Sequence, residues 1–199
     1  MCVQFARVVL LAGPSGSGKS YIARRTGLPV LCLDDFYKDG TDPTLPLANA
    51  AVDWDSPQAW DADGAVRAIA ELAATGRANI PVYDISLSAR VADRTFTIAD
   101  HPIFIAEGIF AAEIVVRCRE LGLLAGAFTV KRNRTMTFIR RLVRDLAEHR
   151  KPPLVLIRRG MRLWRQDSAI LKKQIDQGCR PMNSREIRAA LRTPALSPR

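Results

Sequence analysis

The chain has 199 residues, 48% of them hydrophobic and 25% charged, which fits one globular domain with a sizeable core. Its net charge of +10 is uneven, because residues 1–130 hold 11 Lys and Arg against 15 Asp and Glu, whereas residues 131–199 hold 19 against 5. The four cysteines form no C-x-x-C pair and there are two histidines, which argues against a zinc site or disulfide framework and favours a reducing cytoplasm. No apolar stretch is long enough to span a bilayer, so no membrane contact is expected.

Short apolar runs alternate with helical patterns along the first 130 residues. The apolar runs predict buried strands of a parallel sheet at Arg7–Ala12, Val30–Leu33, Pro102–Ala106 and Leu124–Val130. Helices are predicted at Lys19–Arg25, from Ser56-Pro57 (with Ser56 as N-cap) to Gly76, and at Ala111–Leu121. Asn79–Tyr83 and Arg94–Ile98 are expected to pair as a small hairpin. This alternation predicts an α/β fold with a parallel sheet of about five strands flanked by helices.

The last third of the chain is predicted to be helical and basic. Thr135–Arg150 is a basic helical pattern ended by Pro152-Pro153, and residues 154–178 are mostly helical with a break at Gly160. Asn183, with Glu186 three residues later, resembles a capping box that opens a last short helix. We expect a single domain over residues 1–199, with a basic lid at about 133–152 and C-terminal helices at 153–192.

Residues 13–20 match the phosphate-loop pattern G-x-x-x-x-G-K-[ST] in full; they are Gly13, Pro14, Ser15, Gly16, Ser17, Gly18, Lys19 and Ser20. Glycines let successive backbone N–H groups turn toward phosphate oxygens. Lys19 supplies a positive charge to the β- and γ-phosphates, and the Ser20 hydroxyl is suited to bind Mg²⁺. A buried strand precedes the loop and a helix follows it. We therefore predict a P-loop NTPase fold that binds ATP with Mg²⁺, and the pattern alone fits GTP as well.

Carboxylates follow two of the predicted strands. Asp34 and Asp35 come directly after Val30–Leu33, and Glu107 comes directly after Pro102–Ala106. Ligands of open α/β sheets bind at the carboxyl ends of the strands. A kinase needs one carboxylate to orient the acceptor hydroxyl and another to hold Mg²⁺. Asp34 and Glu107 are candidates for these roles, with ordinary polar strand-end residues as the alternative, while Asp35 fits better as a cap or solvent-facing residue.

Several segments carry a more specific signal in combination. They are Gly13–Ser20, Leu33-Asp-Asp-Phe-Tyr-Lys38, Asp53-Trp-Asp-Ser-Pro57, Ile80-Pro-Val-Tyr-Asp84, Ile105-Ala-Glu-Gly-Ile109 and Arg140-Arg-Leu-Val-Arg-Asp145. Together, and in this order over residues 7–150, they resemble the uridine kinase family within the phosphoribulokinase-like group of P-loop kinases. The resemblance implies transfer of the γ-phosphoryl group of Mg-ATP to the 5′-hydroxyl of a nucleoside such as uridine or cytidine.

The resemblance also implies roles for the matching residues. Asp34 corresponds to the catalytic carboxylate beside the acceptor hydroxyl, Asp55 to the acid that holds the sugar hydroxyls, and Tyr83 to an aromatic residue of the base pocket. The implied catalytic set is Lys19, Asp34, Arg140 and Arg144, and the implied metal set is Ser20, Asp34 and Glu107. The implied substrate contacts are Tyr37, Asp55, Tyr83, Asp84, Ser88 and Arg90. For Tyr83, a place in the hairpin core is the alternative.

Arginines are predicted to close on the phosphates. Arg140 and Arg144 share one helix face at a spacing of four, and their guanidinium groups suit phosphate oxygens. Arg141 corresponds to a third lid arginine with an ATP contact. Ordinary ion pairs on a solvated face, Arg141 with Asp145 and Arg144 with Glu148, are the alternative. Arg180-Pro181 is a further candidate, to lie over the adenine of ATP, and an ordinary surface turn is its alternative.

One departure from the family affects the acceptor. Ser88 stands where the family usually has a histidine that contacts the pyrimidine, so another small hydroxyl compound, such as a sugar or a vitamin precursor, is the alternative acceptor. The basic last third raises a different class, a nucleic-acid-associated ATPase. The chain lacks the aromatic-rich basic stripe of such proteins, and we expect a small-molecule partner rather than nucleic acid.

Overall fold

The computed structural model of the chain describes residues 6–48, 51–131 and 168–192. Its strands are β1 (Arg7–Ala12), β2 (Val30–Cys32), β3 (Leu47–Ala48), β4 (Ala51–Val52), β5 (Arg77–Asp84), β6 (Ala89–Thr97), β7 (Ile103–Glu107), β8 (Leu124–Val130) and β9 (Arg180–Met182). Its helices are α1 (Lys19–Arg24), α2 (Ala62–Thr75), α3 (Val115–Glu120), α4 (residues 168–176) and α5 (Ser184–Arg192). Short 3₁₀ turns lie at Leu33–Phe36, Pro57–Ala59 and Ala111–Ile114. The predicted lid helix and the break at Gly160 lie outside the described residues.

Five parallel strands form the main sheet of the described chain, in the order β2-β7-β1-β8-β9. The β-branched and aliphatic run of β1 is buried because this strand has a neighbour on each side and packing on both faces. The register aligns Cys32 with Glu107, Glu107 with Leu11 and Ala12 with Thr129. The carboxyl ends of four strands therefore meet at one edge, and this confirms the predicted α/β fold.

The two faces of the sheet pack on different helices. Alternate residues of β1, Val8 and Leu10, belong to the core that includes Ile69 of α2 and Ile114. The residues between them, Val9 and Leu11, pack with Ile22 of α1 and Ile187 of α5 in a second core. None of the helices in the described ranges combines the length and apolarity that a bilayer crossing needs.

The predicted start of the second helix is wrong by several residues. Ser56 makes no side-chain cap bond and Pro57 opens only a 3₁₀ turn, whereas α2 begins after Asp61, whose Oδ1 accepts from the Gly64 N–H at 2.8 Å. The reason is Trp60, whose backbone is extended and whose Nε1 donates to the Leu33 carbonyl at 2.7 Å. This buried contact ties the chain to the turn after β2 before a helix can begin.

The C-terminal elements include one strand that the sequence analysis did not predict. Arg180-Pro181, expected in a loop, forms most of β9 and pairs in parallel with β8. The predicted capping box is confirmed, because the Asn183 N–H donates to Glu186 Oε2 at 2.7 Å and the Glu186 N–H donates to Asn183 Oδ1 at 3.1 Å. The predicted hairpin is also confirmed. Strand β5 extends its first strand at both ends, whereas β6 begins five residues earlier than predicted and ends at Thr97, one residue before the predicted end at Ile98.

Candidate active site

The phosphate loop connects the carboxyl end of β1 to the start of α1. Gly16 and Gly18 have φ values of 76° and 86°, which residues with a side chain rarely adopt. The Ser17 N–H donates to the Pro14 carbonyl at 3.1 Å. Lys19 is buried, and its Nζ donates to the Gly13 carbonyl at 2.9 Å and to the Pro14 carbonyl at 3.3 Å. The loop carbonyls therefore hold the Lys19 ammonium group inside the loop, where its positive charge would face the phosphates of a bound nucleotide.

Ser20, in the first turn of α1, and Glu107, at the end of β7, are in direct contact. The Ser20 hydroxyl donates to Glu107 Oε1 at 2.6 Å, and Glu107 is buried at the end of β7. Burial raises the pKa of Glu107, while the hydrogen bond from Ser20 and the charge of Lys19 act in the opposite direction. A positive ion beside this carboxylate would compensate its burial.

The fit of these residues to Mg²⁺ follows from their donor atoms. No cluster of three or more His, Cys, Asp or Glu suited to a metal occurs within the described residues, so the protein alone offers no complete metal cage there. Mg²⁺ does not need one, because it is commonly held by one or two carboxylates, a hydroxyl, waters and substrate phosphates. The Ser20 hydroxyl and the Glu107 carboxylate are hard oxygen donors of this kind.

Asp34 lies in the 3₁₀ turn after β2, beside the turn that follows β7. Its Oδ1 accepts a long hydrogen bond from the Ile109 N–H at 3.4 Å. The two turns touch at Gly108, where a Cβ would lie 2.8 Å from Leu33 Cβ and 3.0 Å from Asp34 Oδ1. The charge of Asp34 contributes to the raised pKa of Glu107. The structure thus brings together Lys19, Ser20, Asp34 and Glu107, four residues that the sequence analysis placed in one site.

Two neighbours of Asp34 have structural surroundings that limit their chemistry. Burial, followed by the charges of Asp35, Asp34 and Glu107, raises the pKa of Cys32 to about 12, so this thiol is neutral at physiological pH and is not a nucleophile. Asp35 points to the hairpin, where its Oδ2 lies 3.7 Å from a guanidinium nitrogen of Arg94. Burial raises the pKa of Asp35 although Arg94 acts against it.

An aromatic cluster adjoins the Asp34 turn. The Tyr37 ring lies 5.9 Å from Trp54, 5.7 Å from Tyr83 and 5.9 Å from Phe110, measured between ring centroids. The hydroxyl of Tyr37 donates to the Trp54 carbonyl at 3.2 Å, and burial raises the pKa of Tyr37. Trp54 and Phe110 were not predicted as site residues. Trp54 could have been found, since it lies between two acids of a segment that carries the family resemblance.

Arg90 connects the hairpin to this cluster. Its Nε donates to the Tyr37 carbonyl at 3.2 Å, and its guanidinium group pairs with Asp61 Oδ2 at 3.0 Å. Its backbone N–H donates to Asp39 Oδ1 at 2.9 Å. Burial opposes ionisation of Asp61, but the hydrogen bonds from Gly64 and Arg90 outweigh it and lower the pKa of Asp61. Arg90 therefore fixes the position of the Tyr37 turn relative to α2.

The remaining substrate-side predictions have mixed surroundings. Asp84 closes the hairpin turn, where its Oδ1 accepts from Ser86 N at 2.8 Å and Ser86 Oγ at 2.6 Å. The Ser88 carbonyl accepts from the Gly40 N–H at 2.7 Å, and the Tyr83 hydroxyl donates to the Lys38 carbonyl at 3.3 Å. Asp55 is exposed, and its charge contributes to the raised pKa of Tyr37.

Of the predicted nucleotide contacts beyond the loop, Arg180 is the one that lies within the described residues. Arg180 is exposed and begins the edge strand β9, opposite Phe128 of β8. Arg140, Arg141 and Arg144 lie outside the described residues.

Comparison with known proteins gives a consistent result. A family model described as the phosphoribulokinase / uridine kinase family matches residues 8–151. A uridine kinase of Schizosaccharomyces pombe is 36% identical over 113 residues, which are 53% of this chain and 25% of that protein. A uridine kinase of Chlamydia pneumoniae is 28% identical over 155 residues, which are 74% of this chain and 68% of that protein. The chain therefore spans a quarter of the length of the first relative and about two thirds of the second.

The fold has a match among solved structures. A phosphoribulokinase from Rhodobacter spheroides superposes with a TM-score of 0.52 at 18% identity, over 87% of this chain and 68% of that one. At this identity the match shows the fold alone. The family model covers well over half of the chain and includes the phosphate loop and both carboxylates. The chain belongs to the phosphoribulokinase / uridine kinase family of P-loop kinases.

Proposed function

We propose that this protein is an ATP-dependent kinase that transfers the γ-phosphoryl group of Mg-ATP to the 5′-hydroxyl of a nucleoside. The observation that carries the proposal is that Asp34 is next to two features at once. Its Oδ1 accepts from the N–H of Ile109, two residues after the Glu107 that binds Ser20, and its turn ends next to Tyr37 of the aromatic cluster. A carboxylate next to both a phosphate site and an aromatic site suits an acceptor that has both a hydroxyl and a planar ring.

In the proposed reaction each residue has one task. The loop N–H groups and Lys19 hold the β- and γ-phosphates, so that negative charge on the transferred group meets a fixed positive charge. Asp34 orients the acceptor hydroxyl toward the γ-phosphorus and accepts its proton as the new O–P bond forms. The bond from the γ-phosphorus to the bridging oxygen of the β-phosphate breaks at the same time, and ADP leaves. Ser20 and Glu107 would hold Mg²⁺, which when bound neutralises phosphate charge. Most of the acceleration then comes from positioning, as is usual in phosphoryl transfer.

On the acceptor side, the base would stack against the Tyr37 and Tyr83 rings and the sugar hydroxyls would bind Asp55. Aromatic faces provide apolar area together with defined geometry. The names of the S. pombe and C. pneumoniae relatives support a nucleoside acceptor. Arg140, Arg141 and Arg144 would close over the phosphates as a lid, and Arg180 would contact the nucleotide.

The test is ADP release from Mg-ATP over a panel of nucleosides, sugars and vitamin precursors at matched salt, with Lys19→Ala as the blank. Uridine or cytidine should stimulate ADP release at least tenfold over the rate without acceptor. Stimulation by DNA or RNA instead, with binding that falls steeply with salt, would replace the proposal with a nucleic-acid-associated ATPase.

A second acceptor class is favoured by Ser88. Its carbonyl accepts from the Gly40 N–H and its backbone has a φ of 50°, so this residue is held in place by the hairpin turn. A sugar or vitamin precursor would need no base-edge contact at this position. In this case a non-nucleoside stimulates ADP release in the same panel, and Ser88→His creates or sharpens uridine use.

A further inference from the structure

The buried polar side chains of the described chain fall into two groups. Ser17, Lys19 and Glu107 belong to the phosphate site, and Thr129 and Gln174 form a separate pair. The Thr129 hydroxyl at the end of β8 donates to Gln174 Oε1 of α4 at 2.6 Å. Gln174 is 3% exposed and lies beyond residue 151, where the family match ends. A buried glutamine is costly unless both ends of its amide are bonded, so its second partner is informative.

The second partner of Gln174 is the turn that holds Asp34. Gln174 Nε2 donates to the Ile109 carbonyl at 3.3 Å. The N–H of the same Ile109 is the donor to Asp34 Oδ1. Ile109 is therefore bonded on one side to α4 and on the other side to the carboxylate. The orientation of the amide follows from chemistry, because a carbonyl accepts only from the NH₂ end.

The surroundings leave this turn little room to move. The neighbouring Gly108 already lies in close contact with Leu33 and Asp34. Helix α4 is fixed at its surface by Lys173 and Gln177, which bind the two carboxylate oxygens of Glu113 at 2.6 Å and 2.7 Å. A change at Gln174 is thus transmitted through Ile109 to Asp34 rather than absorbed by the helix.

We propose that Gln174 is a positioning residue, which holds Ile109 so that its N–H keeps the Asp34 carboxylate aligned for the acceptor hydroxyl. This role rests on the proposed function for its effect on turnover, but the link from Gln174 to Ile109 does not. It assigns part of the acceptor site to the C-terminal segment, outside the range that the family match covers. An apolar side chain would fill the same volume without orienting the Ile109 carbonyl.

The test compares Gln174→Met with Thr129→Val and Lys173→Met in the full chain. Gln174→Met keeps the length of the side chain and removes the donor to Ile109. Thr129→Val breaks the Thr129–Gln174 bond but keeps that donor, and Lys173→Met removes a surface ion pair of the same helix. Gln174→Met should lower kcat about 10- to 100-fold, with the KM for ATP changed less than about threefold. Lys173→Met should keep kcat within about threefold of the wild type, and Thr129→Val, which leaves Gln174 Oε1 unbonded, should lower kcat less than Gln174→Met does.

Amide hydrogen exchange supplies a readout that does not depend on any acceptor. In Gln174→Met, the Ile109 N–H should exchange about tenfold faster, while the Ile22 N–H of α1 stays unchanged. Equal acceleration of both amides, or an unchanged Ile109 amide, overturns the inference. So does a kcat that falls equally in Thr129→Val. If the wild type phosphorylates no acceptor, the proposed function fails, and hydrogen exchange still decides the role of Gln174.

Discussion

The contact between Gly108 and the Asp34 turn makes Gly108→Ala a sharp test of the site geometry. The added Cβ would lie 2.8 Å from Leu33 Cβ and 3.0 Å from Asp34 Oδ1. Carbon atoms in contact normally lie about 3.5–4.0 Å apart, so the two turns must separate by about 1 Å. Leu33 Cβ is attached directly to the backbone of a buried turn, and no side-chain rotation can move it away.

The magnitudes follow from this separation. Overpacking of this kind costs about 1–3 kcal/mol of unfolding free energy. For a chain of this size that corresponds to a decrease in Tm of about 2–12 °C. A misplacement of about 1 Å at a reacting group costs on the order of 100-fold in turnover. At an assay temperature where Gly108→Ala remains folded, its kcat should therefore be far below that of the wild type. The loss of stability alone does not explain such a decrease.

The assay measures thermal unfolding and acceptor-stimulated ADP release for Gly108→Ala and for a control, Gly122→Ala. Gly122 has a φ of +70° and no atom within 4 Å of its Cβ position. Alanine there costs about 1–2 kcal/mol through backbone strain alone and should leave kcat unchanged. If Gly108→Ala keeps wild-type kcat, or if both variants lose kcat in proportion to their loss of Tm, the inferred contact between the two turns does not position Asp34.

Three further variants test single groups. Asp34→Asn should lower kcat at least 100-fold and leave ATP affinity, measured by fluorescent-nucleotide titration, within about threefold; near wild-type turnover would remove Asp34 from its proposed role. Glu107→Gln should be more stable than the wild type at neutral pH. Burial raises the folded-state pKa of Glu107 above the usual 4.5 of a glutamate, so the wild type loses stability as the pH rises through the raised pKa, and the variant does not. Urea unfolding at a series of pH values from about 4 to 8 should show that the difference in unfolding free energy between Glu107→Gln and the wild type grows with pH. A difference that stays constant contradicts a raised pKa of Glu107. Arg90→Leu should lower Tm by a few degrees, since it breaks the bonds to Tyr37 and Asp61. It should also raise the KM for the acceptor more than the KM for ATP. An unchanged KM for the acceptor would show that the hairpin does not contribute to acceptor binding through Arg90.

The sheet was predictable because its signals are local. The apolar runs of β1, β7 and β8 are continuous, as expected for strands that are covered on both faces. The phosphate loop carries its own glycines, and the capping box at Asn183 needs only residues three positions apart. Each of these features is determined by residues that are close together in the sequence, so the sequence alone predicts it.

The features that were not predicted depend instead on contacts between residues far apart in the chain. The start of α2 depends on the bond from Trp60 to Leu33, which are far apart in the chain. The three residues of β9 include a proline and carry no strand pattern of their own, and their pairing is decided by β8. Gln174 looks like a surface residue in a basic helical segment, and only the packed structure gives it two buried partners. Long-range contacts of this kind have no local signature.

The parallel pairing of β9 with β8 has a consequence for the protein during its synthesis. Residues 131–179 must leave the ribosome between the two strands, so a nascent chain presents β8 as an open sheet edge during that interval. Open edges recruit strands of other molecules. A shortened version that ends near residue 151, where the family match stops, would lack β9, and we expect it to aggregate more readily because β8 loses this partner strand. The practical unit for expression therefore extends to at least Arg192, the end of α5.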